Sequence, residues 1–252
     1  MVIIYDFDGT LTPYSLPQYD VLKKCGYDDE KLMERIKALI DSNSSLNLYE
    51  AYYKCYMEIL AVNGISFTEE NVCQGADRVT FNKGVVDYFE RFQSSRTGVK
   101  HYILTSGVQD YVEKTRIGKL VDGIFGVTFK NENGKYTEID TLMSDKKKVD
   151  IIKNIQTKNP KETDFMYFGD GLTDKYAFEY MHNIGGTNVF IASNESSETN
   201  YKQLNTNGII DKYFTADFTP NSELSRFMES QIVTPNCCTN RETYNIINNK
   251  EE

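Results

Sequence analysis

The chain has no tryptophan, only two histidines and five prolines, and no apolar run near the ~20 residues that a membrane-spanning helix needs. His101 and His182 are far apart in sequence and have no partner at metal-ligand spacing, so a histidine-based metal centre is not expected. The five cysteines, Cys25, Cys55, Cys73, Cys237 and Cys238, show no paired spacing, and their odd number argues against a secreted disulfide framework. They read as reduced thiols in a cytosol. Cys237 and Cys238 are adjacent but lack a C-x-x-C arrangement. Positive charge is also scarce: 28 Lys plus Arg against 37 Asp plus Glu give a net charge of −9. That balance repels polyanions, so neither nucleic acid nor an anionic membrane is an expected partner. Val2 to Tyr5 is too short for a secretory signal core and runs into acidic residues, so a cytoplasmic protein is expected.

What the chain does have is enough apolar content, 40% of 252 residues, for one large domain or a core carrying a smaller one. Short β-branched and aromatic runs recur at Val2 to Tyr5, Val99 to Leu104, Phe125 to Phe129, Phe165 to Phe168, Val189 to Ala192 and Tyr213 to Phe214. Helical patterns separate most of them, including Val85 to Phe92 and Val149 to Ile155, and this alternation predicts a doubly wound, Rossmann-like α/β core with a parallel sheet. Asn133-Gly134, between Phe129 and Tyr136, predicts a β-hairpin. From about Tyr14 to Thr80 the alternation stops and only helical patterns remain: Tyr19 to Lys24, Asp29 to Ile40, Leu46 to Asn63, and one opening at Thr68 as N-cap. The expected organisation is therefore a core over 1–13 and 80–235, an inserted helical domain over 14–79, and a polar tail over 236–252.

Ligands of open parallel sheets bind beyond the carboxyl ends of the strands, and chemically capable residues recur there. Asp6 and Asp8 follow the first strand, and alternation along an extended chain would put both carboxylates on one side. Such a like-charged pair calls for a cation, a shared proton or water. Thr105, Ser106 and Gly107 follow another strand, Gly169-Asp170-Gly171-Leu172-Thr173-Asp174 follows a third, and the basic run Lys146-Lys147-Lys148 opens a helix. Carboxylates suit a hard cation such as Mg²⁺. A carboxylate nucleophile supported by a lysine, a hydroxyl and backbone N–H groups near Gly107 suits phosphoryl transfer.

In this order, D-F-D-G-T at 6 to 10, T-S-G at 105 to 107, a lysine near 148 and G-D-G-L-T-D at 169 to 174 resemble the four motifs of the haloacid dehalogenase (HAD) superfamily. The helical insertion resembles the cap of its phosphoserine phosphatase-like branch. The resemblance implies a Mg²⁺-dependent phosphatase acting on a small phosphorylated metabolite, as a monomer or homodimer. It makes Asp6 the nucleophile and Asp8 the acid that protonates the leaving oxygen and then the base that activates water. Asp6, Asp8 (through its carbonyl) and Asp170 would hold the metal, with Asp174 a further ligand or a partner of the ligands. Ser106, with Thr105 as the adjacent candidate, and Gly107 and Lys148 would contact the phosphoryl group. Lys148 is favoured over Lys147 because Ile151, Ile152 and Ile155 follow at the family's apolar offsets. One departure stands out: Pro13-Tyr14-Ser15-Leu16-Pro17 replaces the acidic residues that phosphoserine phosphatases carry there, which argues against phosphoserine as substrate.

Two other readings remain. The 2-haloacid dehalogenases share the aspartate nucleophile but lack the second aspartate, so Asp8 argues against them; a non-catalytic binding protein could also keep this fold. In the insertion, Tyr49, Tyr53, Tyr56 and Leu60 follow the spacing of a buried helical stripe, and packing within the cap is the favoured explanation. The alternative is that some of Tyr49, Tyr52, Tyr53 and Tyr56, with Tyr14 or Tyr19, face the site and hold an apolar or cationic leaving group. Hinges are expected near Leu11 to Tyr14 and Thr80 to Gly84.

Overall fold

A computed structural model describes residues 1–14, 16–17, 19–94, 98–194 and 196–233. The expected polar tail, with Cys237 and Cys238, lies outside the described residues. Seven strands form one sheet: β1 (Val2–Asp6), β2 (Lys100–Val108), β3 (Gly123–Glu132), β4 (Lys135–Thr141), β5 (Phe165–Gly169), β6 (Thr187–Ala192) and β7 (Lys212–Thr215). Their spatial order is β4-β3-β2-β1-β5-β6-β7, and every pairing is parallel except the β3–β4 hairpin. Asn133 and Gly134 both take positive φ at the hairpin turn, as the Asn-Gly pair requires. β1 is buried along its whole length because it lies centrally and is covered on both faces, which explains its unbroken apolar run. The chain leaves β1 toward β2 on one side and β5 on the other, so the crevice at its carboxyl end is where such sheets bind ligands.

Between β1 and β2 no strand occurs among the described residues. Instead come α1 (Asp20–Lys24), α2 (Asp29–Ser42), α3 (Leu48–Val62), α4 (Glu69–Val72) and α5 (Val85–Ser94). The starts are set by polar caps: Asp28 accepts from Lys31 N, Thr68 from Asn71 N, and Asn47 and Glu50 form a reciprocal capping box. That box explains why α3 begins two residues later than apolar periodicity suggests. The remaining helices are α6 (Gln109–Glu113), α7 (Asp145–Lys158), α8 (Lys175–Asn183), α9 (Ser197–Leu204) and α10 (Glu223–Val233). Among the described residues, no helix is long and apolar enough to cross a membrane.

Two local departures from the sequence reading bear on the site. β2 runs through Thr105, Ser106 and Gly107 to Val108 instead of ending at Leu104, with a shift in its pairing to β3 between Leu104 and Val108. Conversely, β1 stops at Asp6, so strand alternation does not align Asp8 with it. The chain turns back at once, with the Leu11 and Thr12 amides donating to the Phe7 carbonyl. Gly9, at φ +85°, makes this turn possible.

Beneath β1, Tyr5 Oη lies 2.9 Å from Tyr88 Oη and 3.0 Å from His101 Nδ1, all in the apolar interior. Burial pushes the imidazole down to about 4. As pH falls from about 6.5 towards 4, the unfolded chain takes up this proton before the folded one, so the folded state loses stability, by about 3 kcal/mol at most. Urea midpoints measured from pH 7 to 4.5 should fall more steeply in wild type than in His101→Phe. Parallel curves would show that His101 does not contribute.

Candidate active site

Four elements deliver side chains to the crevice. Asp6 ends β1, Asp8 lies in the turn after it, Lys148 lies in the first turn of α7, and Asp170 and Asp174 follow β5. Ser144 starts α7 by accepting from the Lys147 amide, and the helix then directs Lys148 inward, where it is 1% exposed. Its Nζ donates to Asp6 Oδ1 at 2.6 Å and to Asp174 Oδ1 at 2.7 Å. Lys147, one residue earlier, faces outward and lies 3.9 Å from Asp150. Of the two lysines, Lys148 is the one that reaches the carboxylates.

Asp174 is fully engaged. Its Oδ1 also accepts from the Tyr167 hydroxyl at 2.6 Å, and its Oδ2 accepts from the amides of Asp170 and Gly171 at 3.2 and 3.4 Å. Gly169 allows this approach, because a Cβ there would lie 2.5 Å from Asp174 Oδ2. Asp170 lies against the turn after β1, with Thr10 Oγ1 donating to its Oδ1 at 3.4 Å. A Cβ on Gly9 would come within 2.2 Å of the Asp170 carboxylate, so this glycine is needed for space as well as for φ. Asn82 secures the same turn by donating to the carbonyls of Thr10 and Thr12. Neither Tyr167 nor Asn82 carries a recognisable motif; each acts through contacts made far along the chain.

Asp6, Asp170 and Asp174 each present a carboxylate oxygen within 4.8 Å of the others, all three buried. Burial pushes Asp6 up to about 7, with the Asp174 charge adding and the Lys148 ammonium opposing. Burial also raises Asp170 well above the usual carboxylate range, reinforced by Asp6 and Asp174. Asp8, half-buried, is pushed up to about 8 by burial and the Asp6 charge, against the hydrogen bond from Thr105. One ammonium among so many crowded acids leaves room for further positive charge, and all-oxygen donors are the kind a hard divalent cation takes. The residues present therefore fit Mg²⁺.

The hydroxyls of β2 divide their work. Thr105 Oγ1 donates to Asp8 Oδ2 at 3.3 Å and accepts from Gly107 N at 2.8 Å, whereas Ser106 lines the open cavity. Thr105 is buried against Asp8, and the Gly107 amide is engaged by Thr105. The cavity, ≈ 130 Å³, is lined by Asp6, Asp8, Ser106, Lys148 and Thr173 on the core side and by residues of 16–53 opposite. The tyrosines of α3 divide between packing and lining the cavity. Tyr56 packs internally, stacked on Tyr19 at 5.1 Å, while Tyr49, Tyr52 and Tyr53 line the cavity. Tyr19 does not reach it; its hydroxyl accepts from Val108 N at 2.7 Å.

Because Lys148 is the buried cation among these acids, Lys148→Met in the presence of EDTA should destabilise the fold by about 3–5 kcal/mol at pH 8. An aspartate whose folded-state proton affinity is raised favours folding at low pH and loses that advantage as pH rises. The deficit should therefore shrink by pH 5.5, when the carboxylates protonate. Urea titrations giving a pH-independent deficit would contradict this electrostatic role.

No protein-family model matches the sequence, and no curated protein matches it. Solved structures do match. A substrate-bound phosphoserine phosphatase shares 19% identity at a TM-score of 0.59, over 91% of this chain and 97% of that one. A HAD family hydrolase from Salmonella enterica serovar Typhi shares 14% at 0.60, over 86% and 68%. The phosphoserine phosphatase of T. onnurineus shares 15% at 0.54, over 90% and 94%. At these identities the likeness concerns architecture, and it agrees with the order of motifs along the chain: the protein has the fold of the HAD phosphatases, in the form found in phosphoserine phosphatases.

Proposed function

We propose that the protein is a Mg²⁺-dependent phosphatase that hydrolyses a small phosphate monoester through an aspartyl-phosphate on Asp6. The observation that carries this reading is the convergence of Asp6, Asp170 and Asp174 around the buried Lys148, at the mouth of a cavity that also contains Asp8 and Ser106. Asp6 and Asp170, with the Asp8 carbonyl, would hold the cation. Bound there, Mg²⁺ would neutralise charge on the phosphoryl oxygens and lower the proton affinity of the carboxylates around it. Asp174 is better suited to holding Lys148 and the Asp170 turn than to direct ligation, since both its oxygens are already engaged.

In the first step an Asp6 carboxylate oxygen bonds to phosphorus as the ester P–O bond breaks, and the Asp8 proton passes to the leaving oxygen, releasing an alcohol. Burial favours the protonated form of Asp8, which suits it to this role. In the second step Asp8, now a carboxylate, takes a proton from water as the water oxygen bonds to phosphorus. The acyl phosphate breaks, phosphate leaves and Asp6 is regenerated. Thr105 holds Asp8 in place, while Ser106 and Lys148 offer donors to the phosphoryl oxygens.

Phosphate release from a panel of monoesters should require Mg²⁺ and fall by about 10³-fold or more in Asp6→Asn. In the first turnover, Asp8→Asn should slow alcohol release by about 10²-fold on alkyl esters, whose leaving oxygen needs a proton, and much less on p-nitrophenyl phosphate. Metal-independent release, or full activity in Asp6→Asn, would overturn the mechanism. An equal loss of first-turnover alcohol release on both ester types in Asp8→Asn would remove Asp8 as the acid.

A further inference from the structure

The wall of the cavity opposite the carboxylates carries no charge. It is made by Leu16, Pro17, Met33 and Leu48 and by the rings of Tyr49, Tyr52 and Tyr53. Tyrosine could still supply polarity through its hydroxyl, but the three hydroxyls are withdrawn. Tyr49 donates to Asp145 at the start of α7, and Tyr53 donates to the Ser106 carbonyl at 2.6 Å. The Tyr52 hydroxyl is sealed from water and has no hydrogen-bond partner among the described residues. Ring carbon, aliphatic carbon and a thioether are what this wall offers a ligand.

Among the lining residues the one cation is Lys148, which is shared between Asp6 and Asp174 and, in the proposed reaction, gives its remaining donor to the phosphoryl group. A leaving group bearing a carboxylate would therefore lose its hydration here without gaining a partner. An ammonium could gain ring contacts, but ring faces do not replace its hydrogen bonds to water, and the lining carboxylates, Asp6 and Asp8, lie on the opposite side, where the phosphoryl group and the cation would sit. A hydrocarbon body loses nothing on entry and removes apolar surface from water on both sides.

We infer that, if the phosphatase reading holds, the alcohol released is uncharged and mainly hydrocarbon, alkyl or aryl, and is neither an amino acid nor an amine. Leu48 provides a lever: it is 46% exposed at the cavity mouth, so a charged side chain can be placed there without entering the core.

The test compares kcat/KM with Mg²⁺ for 3,3-dimethylbutyl phosphate, its isosteric cation phosphocholine, and O-phosphoserine. In parallel, calorimetry on Asp6→Asn compares binding of 3,3-dimethylbutylphosphonate and 2-amino-4-phosphonobutyrate, a phosphonate counterpart of phosphoserine. The neutral ester should exceed both charged esters by about tenfold or more, and the neutral phosphonate should bind more tightly. Leu48→Arg should cut the preference over phosphoserine by about tenfold. Phosphocholine or phosphoserine matching the neutral ester would overturn the inference and leave the phosphatase reading intact. If no ester is hydrolysed, the phosphatase reading fails and the phosphonates decide the character of the wall: tighter neutral binding supports it, and equal or weaker neutral binding overturns it.

Discussion

The Lys148 ammonium, 2.6 Å from Asp6 and 2.7 Å from Asp174 and shut off from water, is the contact on which the site depends. It can form only if the end of β1, the turn after β5 and the first turn of α7 meet at one point. Those three segments are joined by no shared local sequence; the parallel sheet brings them together, with β1 beside β5 and α7 leading into β5. Removing a cation from water is costly, and the cost is offset only because its partners are themselves fixed. Tyr167 and the amides of Asp170 and Gly171 fix Asp174, and the end of β1 fixes Asp6. Burial, reinforced by the neighbouring carboxylates, raises the proton affinities of Asp6, Asp8 and Asp170, and one ammonium leaves these acids with an excess of negative charge. That excess prepares the site for positive charge.

The aromatic side of the site extends the same logic outward. α3 spans the boundary between the helical insertion and the sheet through hydroxyls: Tyr49 reaches Asp145, three residues before Lys148, and Tyr53 reaches the carbonyl of Ser106. Tyr19 adds a third bridge, to the Val108 amide. Each bridge satisfies a polar group of the core beside the crevice and spends the hydroxyl in doing so. The tyrosines thus tie the insertion to the segments beside the carboxylates while leaving their rings as the cavity wall. Position over the site and an apolar surface come from the same residues.

Much of this was legible in the sequence, for identifiable reasons. Unbroken apolar runs bounded by Gly and Asp gave the central strands, because strands covered on both faces need no polar side. Asn133-Gly134 gave the hairpin through its demand for positive φ. The apolar residues that follow Lys148 favoured it over Lys147 only through the family resemblance; in space Lys148 points to the carboxylates and Lys147 lies near Asp150. What could not be read depended on contacts distant in sequence. The relation of Asp8 to Asp6 is set by a turn at Gly9 and not by strand alternation. The extension of β2 past Leu104 relies on its pairing with β3, and this is what turns Thr105 toward Asp8 and consumes the Gly107 amide. Tyr167 looked like one more strand aromatic until β5 placed its hydroxyl on Asp174.

The most direct test of Asp6 as nucleophile is to trap its acyl phosphate. Borohydride added during turnover of a phosphate monoester with Mg²⁺ should reduce that group, and peptide mass spectrometry should locate the change at Asp6, only when both ester and metal are present. Continued turnover with no reduction at Asp6, or reduction at a different carboxylate, would contradict the covalent role assigned to the end of β1.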